Sequence, residues 1–328
     1  MLEHGGNLRD AQVHFGHTEW IDLSAGLNPR GYRAPEISAA AWHRLPEADP
    51  QLLHLAARYY GAPSMLAVAG TQAAIQALPQ LREPSRVVVS APSYAEHAHH
   101  WGKYGHAMRQ LSYGELEDGV DACDVMVVCN PNNPTGATIA PQRLLDWAAQ
   151  LASRGGWLVV DEAFADTVPN LSVAAHSAQP GLIVLRSIGK FFGLAGARVG
   201  FVAAEPALLK KLADLLGPWT IGGPAQQVAI AALQDRHWQQ AMREELSATG
   251  ARLRALLLSH GIVSHGTALF QWWPEPQPED FWQHMAERGI WVRLFTHAAR
   301  GIRLGLAPNE GAWRLLDAAL TDWKKREK

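Results

Sequence analysis

Lys190 stands in Arg186-Ser187-Ile188-Gly189-Lys190-Phe191-Phe192-Gly193-Leu194-Ala195-Gly196-Ala197-Arg198, a lone ammonium among glycines and apolar side chains. Desolvation favours the free amine of a lysine and makes it a nucleophile for a carbonyl. Asp161-Glu162-Ala163-Phe164 follows the apolar run Trp157–Val160. An acid emerging from a buried strand needs a cation or hydrogen bonds. Asn130-Pro131-Asn132-Asn133-Pro134-Thr135-Gly136 is a rigid turn that can aim the Asn133 amide at a fixed oxygen. Gly70-Thr71-Gln72 lies between a strand and a helix pattern. The free N–H groups and dipole of a helix start suit a phosphate there. Taken singly, each segment has an ordinary explanation: a surface lysine, a solvated strand end, a loop, a tight turn. Together they fall at the C-terminal ends of predicted strands, where open α/β sheets bind ligands.

The elements that must position them read as alternating strands and helices. Strands are expected at Leu66–Ala69, Arg86–Ser90, Val125–Cys129, Trp157–Val160, Leu182–Arg186 and Val199–Ala203, each nearly continuous in apolar residues. Helical patterns fill Thr71–Leu81, Ser93–Tyr104 and Pro141–Ser153. This alternation predicts an α/β fold with a mostly parallel central sheet. From about Pro224 the pattern changes. A long helical stretch runs through Pro224–Ser259 with a break near Asp235. Short strands follow near Leu269–Trp273, Ile290–Arg293 and Ile302–Leu306, with helices near Pro278–Arg288 and Asn309–Lys325. The expected organisation is an N-terminal segment over residues 1–35, a large domain over 36–223 and a smaller α+β domain over 224–328. The first thirty-odd residues carry no strong periodicity and are expected to drape over another surface.

Composition narrows the function classes. The 29 basic and 31 acidic side chains give a formal net charge of -2, so neither nucleic acid nor a membrane surface is an expected partner. No apolar run is long enough to span a bilayer. The N-terminus lacks a basic region followed by an apolar one, which points to a cytoplasmic location. The two cysteines, Cys123 and Cys129, flank an apolar run and form neither a disulfide framework nor a metal-ligand spacing.

The four segments, in this order, resemble the fold-type I pyridoxal-phosphate (PLP) enzymes, the aspartate-aminotransferase superfamily, over nearly the whole chain. The resemblance implies that Lys190 holds the cofactor as a Schiff base and that Asp161 pairs with the pyridine N–H. It implies that Asn133 hydrogen-bonds the ring O3′, and that Ser187 and Arg198 hold the phosphate with Gly70, Thr71 and Gln72. In Pro92-Ser93-Tyr94-Ala95-Glu96-His97, Tyr94 matches the aromatic that stacks on the ring and His97 a partner of the carboxylate. Tyr60 matches a tyrosine reaching the phosphate of a neighbouring subunit, which implies a homodimer. Two positions depart from the pattern. Phe164 stands where many relatives have Tyr, and Gly189 where many have Ser or Thr. Weaker tuning of the cofactor is expected, not its loss.

The reaction is read from substrate-facing residues. Arg303, in Gly301-Ile302-Arg303-Leu304, matches the family arginine that clamps an α-carboxylate. Arg293, on the preceding predicted strand, is a candidate for a second anion. His4-Gly5-Gly6-Asn7 offers close backbone approach and a further charge. With Ser24-Ala25-Gly26-Leu27-Asn28-Pro29-Arg30-Gly31, which includes the candidate Asn28, it resembles the threonine-phosphate decarboxylases of cobalamin biosynthesis. That implies loss of CO2 from L-threonine O-3-phosphate, reprotonation by Lys190 or water, and (R)-1-amino-2-propanol O-2-phosphate as product. A strong Arg303–carboxylate pair would stabilise the ground state and oppose this loss. The alternatives are a histidinol-phosphate aminotransferase, whose sister family usually has an Asn-Glu-Asn-Pro version of the segment, and a non-catalytic PLP-fold binding protein.

Overall fold

The computed structural model describes residues 5–326. Its chain divides into two compact units. The larger holds Gly31–Asn132 and Ala137–Ala241; the smaller holds the N-terminal stretch to Arg30, the short piece Asn133–Gly136 and everything from Met242 onward. The expected boundary at 223/224 therefore differs from the observed one, which falls within the helix Arg236–Ser259. The break near Asp235 is present, between helices Gly223–Gln234 and Arg236–Ser259.

The stretch read as aperiodic carries a helix, Leu8–Phe15, and a two-residue strand β1, Ile21–Asp22. The sheet of the larger unit is built from β2 (Met65–Val68), β3 (Arg86–Ser90), β4 (Ala107–Leu111), β5 (Val125–Cys129), β6 (Trp157–Asp161), β7 (Leu182–Ser187) and β8 (Gly200–Ala203). Their order is β2-β8-β7-β6-β5-β3-β4. Pairing is parallel from β4 through β7, and β8 runs antiparallel to both its neighbours. Every residue of β5, β7 and β8 is buried, as continuous apolar strands require. The sequence reading omits β4, an edge strand with Arg109 and Gln110 on a largely exposed run, which hides its character. It also omits helices Pro50–Tyr60 and Pro206–Leu216. The first is well signalled: the Asp49 side chain accepts from the Gln51 N–H, proline opens the helix, and Gly61 closes it at φ 69. Thr71–Leu81 is an α-helix only to Ala77, followed by a 3-10 turn around Pro79.

In the smaller unit, β9 (His265–Thr267), β10 (Phe270–Trp273), β12 (Arg293–Phe295) and β13 (Gly301–Gly305) form an antiparallel sheet in the order β12-β13-β10-β9. β11 (Ile290–Trp291) leaves this sheet and pairs in parallel with β1, so the expected single strand over Ile290–Arg293 is two. Helices Pro278–Ala286 and Glu310–Arg326 pack together and bury Phe281, Met285, Leu316 and Leu320. Phe15 and Trp20 meet Trp282 and Trp291 edge-on, with ring centroids 5.4–6.3 Å apart among them. This aromatic cluster pins the N-terminal helix to the rest of its unit. No described helix is long and apolar enough to cross a membrane.

Candidate active site

The larger unit gathers most of the expected cofactor residues. Parallel pairing of β5 with β6 sets Cys129 beside Asp161 at their C-terminal ends. Asp161 is 5 % exposed. Its Oδ2 lies 2.9 Å from His97 Nε2, and its Oδ1 accepts from the Ala163 N–H at 3.0 Å. Burial works against the charge on His97, but hydrogen bonds to Asp161 and Cys129 and the Asp161 carboxylate outweigh it, raising its pKa to about 10. His97 is thus an imidazolium that donates to Asp161. A carboxylate oxygen accepts more than one bond, so Asp161 retains capacity for a further N–H donor such as a pyridinium.

Tyr94 precedes the helix Ala95–Lys103, edge-on to His97 at 6.1 Å. Its phenol donates to Gln72 Oε1 at 3.3 Å. Burial, then Glu96 and Asp161, pushes its pKa up, so the hydroxyl stays protonated. Gly70 has φ 70, and a Cβ there would stand 2.4 Å from Arg198 Nη2. Only glycine lets that guanidinium lie against the turn. Arg198 itself is left-handed, at φ 52. Ser187 Oγ accepts from the Gly189 N–H at 3.1 Å, which leaves its O–H to donate. A Cβ on Gly189 would lie 3.2 Å from that same oxygen, so the missing hydroxyl at 189 is matched by lack of room. Lys190 Nζ lies 5.3 Å from the Phe164 ring centroid, giving the other departure a role as an aromatic face for the ammonium. The cradle at Gly70 and Arg198, the buried carboxylate with a protonated partner and the nearby amine fit PLP.

Tyr60 is 7 % exposed, with its ring 4.4 Å from Arg186 Cζ and 5.9 Å from the Phe201 ring.

Several residues around the site went unread. Glu162 accepts from Arg186 Nη1 at 2.5 Å, Ser172 Oγ at 2.5 Å and the Val173 N–H at 2.8 Å. Asp166 lies 3.3 Å from Arg186 Nη2. Burial opposes the Arg186 charge, and the carboxylates of Asp166 and Glu162 overcome it, leaving its pKa raised. Burial pushes Glu162 up. The signal was an arginine within a fully buried strand, which demands acids nearby. Glu96 accepts from Gln72 Nε2 at 2.6 Å and lies 3.0 Å from His100 Nε2, fixing Gln72 and through it Tyr94. Asn130 bonds both the N–H and the carbonyl of Ile139, and Asn132 bonds the Pro92 carbonyl, locking the proline-rich turn.

Asn133, Arg293, Arg303, Asn28, Gly5 and Gly6 belong to the smaller unit. Arg303 is 5 % exposed. Its Nη1 donates to Asn133 Oδ1 and its Nη2 to the Ser24 carbonyl. Its Nε is buried without a hydrogen-bond partner. Arg293 stands directly across from it in the β12–β13 register, and both guanidiniums approach the Phe295 ring, at 5.1 and 6.0 Å. Burial and the Arg293 charge lower the Arg303 pKa to about 9, against the pull of Asp22. Like charges directly opposite on a sheet are unfavourable. An anion bound between them would relieve that repulsion. Asn28 Oδ1 accepts from the Arg30 N–H at 2.9 Å and so shapes the turn. His4 lies outside the described residues.

Residues 19–312 match the family described as aminotransferase class I and II. The chain is 51% identical to the threonine-phosphate decarboxylase of Pseudomonas aeruginosa, with 99% of each chain covered. It is 40% identical to the protein of the same name from a Sinorhizobium species, with 97% of each covered. Among solved structures it resembles a histidinol-phosphate aminotransferase from Sinorhizobium meliloti in complex with pyridoxal-5'-phosphate. That match has a TM-score of 0.83 and 21% identity, covering 100% of this chain and 96% of that one, a likeness of fold.

Proposed function

The chain belongs to the aminotransferase class I and II family, and from that premise we propose that it decarboxylates L-threonine O-3-phosphate to (R)-1-amino-2-propanol O-2-phosphate and CO2, using PLP, in cobalamin biosynthesis. The observation that carries the reading is 51% identity, over nearly the whole of both chains, to a protein named for that reaction. Buried Arg303, with Arg293 directly across from it in the smaller unit, supports a substrate with anionic groups.

The bound cofactor supplies a ring that accepts the electron pair left when a bond to Cα breaks. The chain's own residues set up that event. Lys190 would hold the cofactor covalently, and its amine, when free, would be a proton source for Cα. Asp161, charged and braced by His97, keeps a proton on the ring nitrogen. Tyr94 would cover the ring, Ser187, Arg198 and the Gly70-Thr71-Gln72 turn would hold the phosphate, and Asn133 would donate to the ring oxygen. Arg303 takes the carboxylate. One N–H from each of its terminal nitrogens is already spent, on Asn133 and on Ser24. A partly spent guanidinium grips a carboxylate less firmly than a full fork, which eases its departure as CO2.

The active unit in this reading is a homodimer in the cytoplasm. Trp42 and Leu45, each 67% exposed, and Trp219 at 58% are apolar surface that a second copy would cover.

The test is a product assay with PLP and L-threonine O-3-phosphate and no keto acid. Release of CO2 with aminopropanol phosphate is expected, and borohydride should fix an adduct on the wild type that Lys190→Ala lacks. No CO2, with amino transfer from histidinol phosphate to 2-oxoglutarate, would move the function to the aminotransferase. Stoichiometric cofactor with no turnover of either would leave a binding protein.

A further inference from the structure

Two parts of the smaller unit are suited to anions, and one side chain joins them. The Gly5–Gly6 segment presents backbone with no Cβ, Gly6 at φ +84 and open space where a side chain would go. Arg303 presents a buried guanidinium facing a second arginine. Ser24, 1% exposed, touches both. Its Oγ accepts from the Gly6 N–H at 2.7 Å and donates to Asp22 Oδ1 at 2.6 Å. The same carboxylate oxygen takes the Ser24 N–H at 2.8 Å. The Ser24 carbonyl accepts from Arg303 Nη2 at 2.5 Å. A Cβ on Gly5 would stand 2.5 Å from that carbonyl oxygen, so the loop lies directly on the group that holds the arginine.

The polarity of this chain is fixed. Asp22 only accepts, so the Ser24 hydroxyl must donate to it and must receive the Gly6 N–H. A shift of the loop therefore pulls on Ser24, and Ser24 carries Arg303. We propose that Ser24, braced by Asp22, is the positioning residue that couples the Gly5–Gly6 loop to Arg303. Through it the protein selects amino acids that carry a second anion on the side chain. The inference rests on the reading of Arg303 as the carboxylate site. Coupling between two sites is reciprocal, so an anion at the loop tightens the hold on the carboxylate and the reverse.

Ser24→Ala is the decisive variant, because it removes the relay and keeps the backbone carbonyl that Arg303 uses. Binding to the holoenzyme is read by stopped-flow tryptophan fluorescence before turnover, with O-phospho-L-threonine and L-threonine as the two probes. The expected result is a roughly tenfold weaker Kd for O-phospho-L-threonine. The preference over L-threonine should shrink by a similar factor, with cofactor content and absorption unchanged. Asp22→Asn, which keeps the shape and loses the charge, should give a smaller loss in the same direction. It carries the comparison if Ser24→Ala does not fold. A wild-type preference in the variants overturns the proposal, as does equal weakening of both ligands. Wild-type protein that binds O-phospho-L-threonine tightly but releases no CO2 would sink the decarboxylase reading and leave the coupling standing. Wild-type protein that prefers neither ligand would sink the coupling.

Discussion

Asp161 and Glu162 are adjacent acids at the end of one strand, and the larger unit treats them in opposite ways. Glu162 is fully exposed to protein and not at all to water: an arginine, a serine hydroxyl and a backbone N–H fill its oxygens. Asp161 has one protonated histidine and one backbone N–H, and room to accept more. Successive residues of an extended chain face opposite sides, so a single step along the backbone separates the two environments. A carboxylate that accepts three hydrogen bonds from the protein, one of them from a buried guanidinium, holds structure together. A carboxylate with charge to spare, held in place by a neighbour, is ready for a ligand.

This contrast breaks most visibly at Asp161. Asp161→Asn should lower kcat by roughly 10²–10³-fold, because the fixed negative charge that holds the ring proton is gone. Some stability should be lost as well, because buried His97 loses its charged partner, and the adduct on Lys190 should still form. Equal kcat in the variant would end the assignment of Asp161. At Glu162 the effect should fall on folding instead. Glu162→Ala leaves Arg186 buried with Asp166 as its remaining acid, and should cost about 3–5 kcal/mol of stability. Denaturant unfolding of the purified variant measures this. A variant with wild-type stability and lost turnover would reverse the two roles.

The legible part of this molecule was the part whose chemistry is local in sequence. Lys190, Asp161, the Asn130–Gly136 turn and Gly70-Thr71-Gln72 each sit within a few residues of a strand end, and continuous apolar runs gave β5, β6 and β7 within a residue or two. What stayed hidden depends on pairs far apart in the chain. Nothing near Tyr60 announces that its ring lies against Arg186. Ser24 reads as a loop serine until Gly6 and Arg303 are seen to meet on it. The division into compact units differs from the expected one for a related reason. Helix Arg236–Ser259 is one continuous periodic element, and periodicity carries no mark of where its contacts change sides.

The smallest predicted effect concerns the brace on Asp161 rather than Asp161 itself. His97 binds its proton far more tightly in the folded protein, with a pKa of about 10 against 6.5 in the ordinary state. Between those values the folded chain holds a proton that the unfolded chain has released. Stability gained from this group is therefore complete below about pH 6.5 and is lost progressively as pH rises toward 10. Other shifted groups enter later: Cys123 is pushed up to about 11, chiefly by burial, and the phenols of Tyr94 and Tyr113 are raised by burial too. Arg303, lowered to about 9, acts in the opposite sense, since stability tied to it would recover above that pH. Glu162, also pushed up by burial, contributes equally to the wild type and to a His97 variant, so comparing the two from pH 6.5 to 8.5 isolates His97. The melting temperature of the wild type should fall across it more steeply than that of His97→Gln, whose side chain can still donate to Asp161 but carries no proton to lose. Parallel slopes for the two proteins would show that Asp161 is braced by a neutral imidazole, and the contrast with Glu162 would then rest on hydrogen-bond count alone.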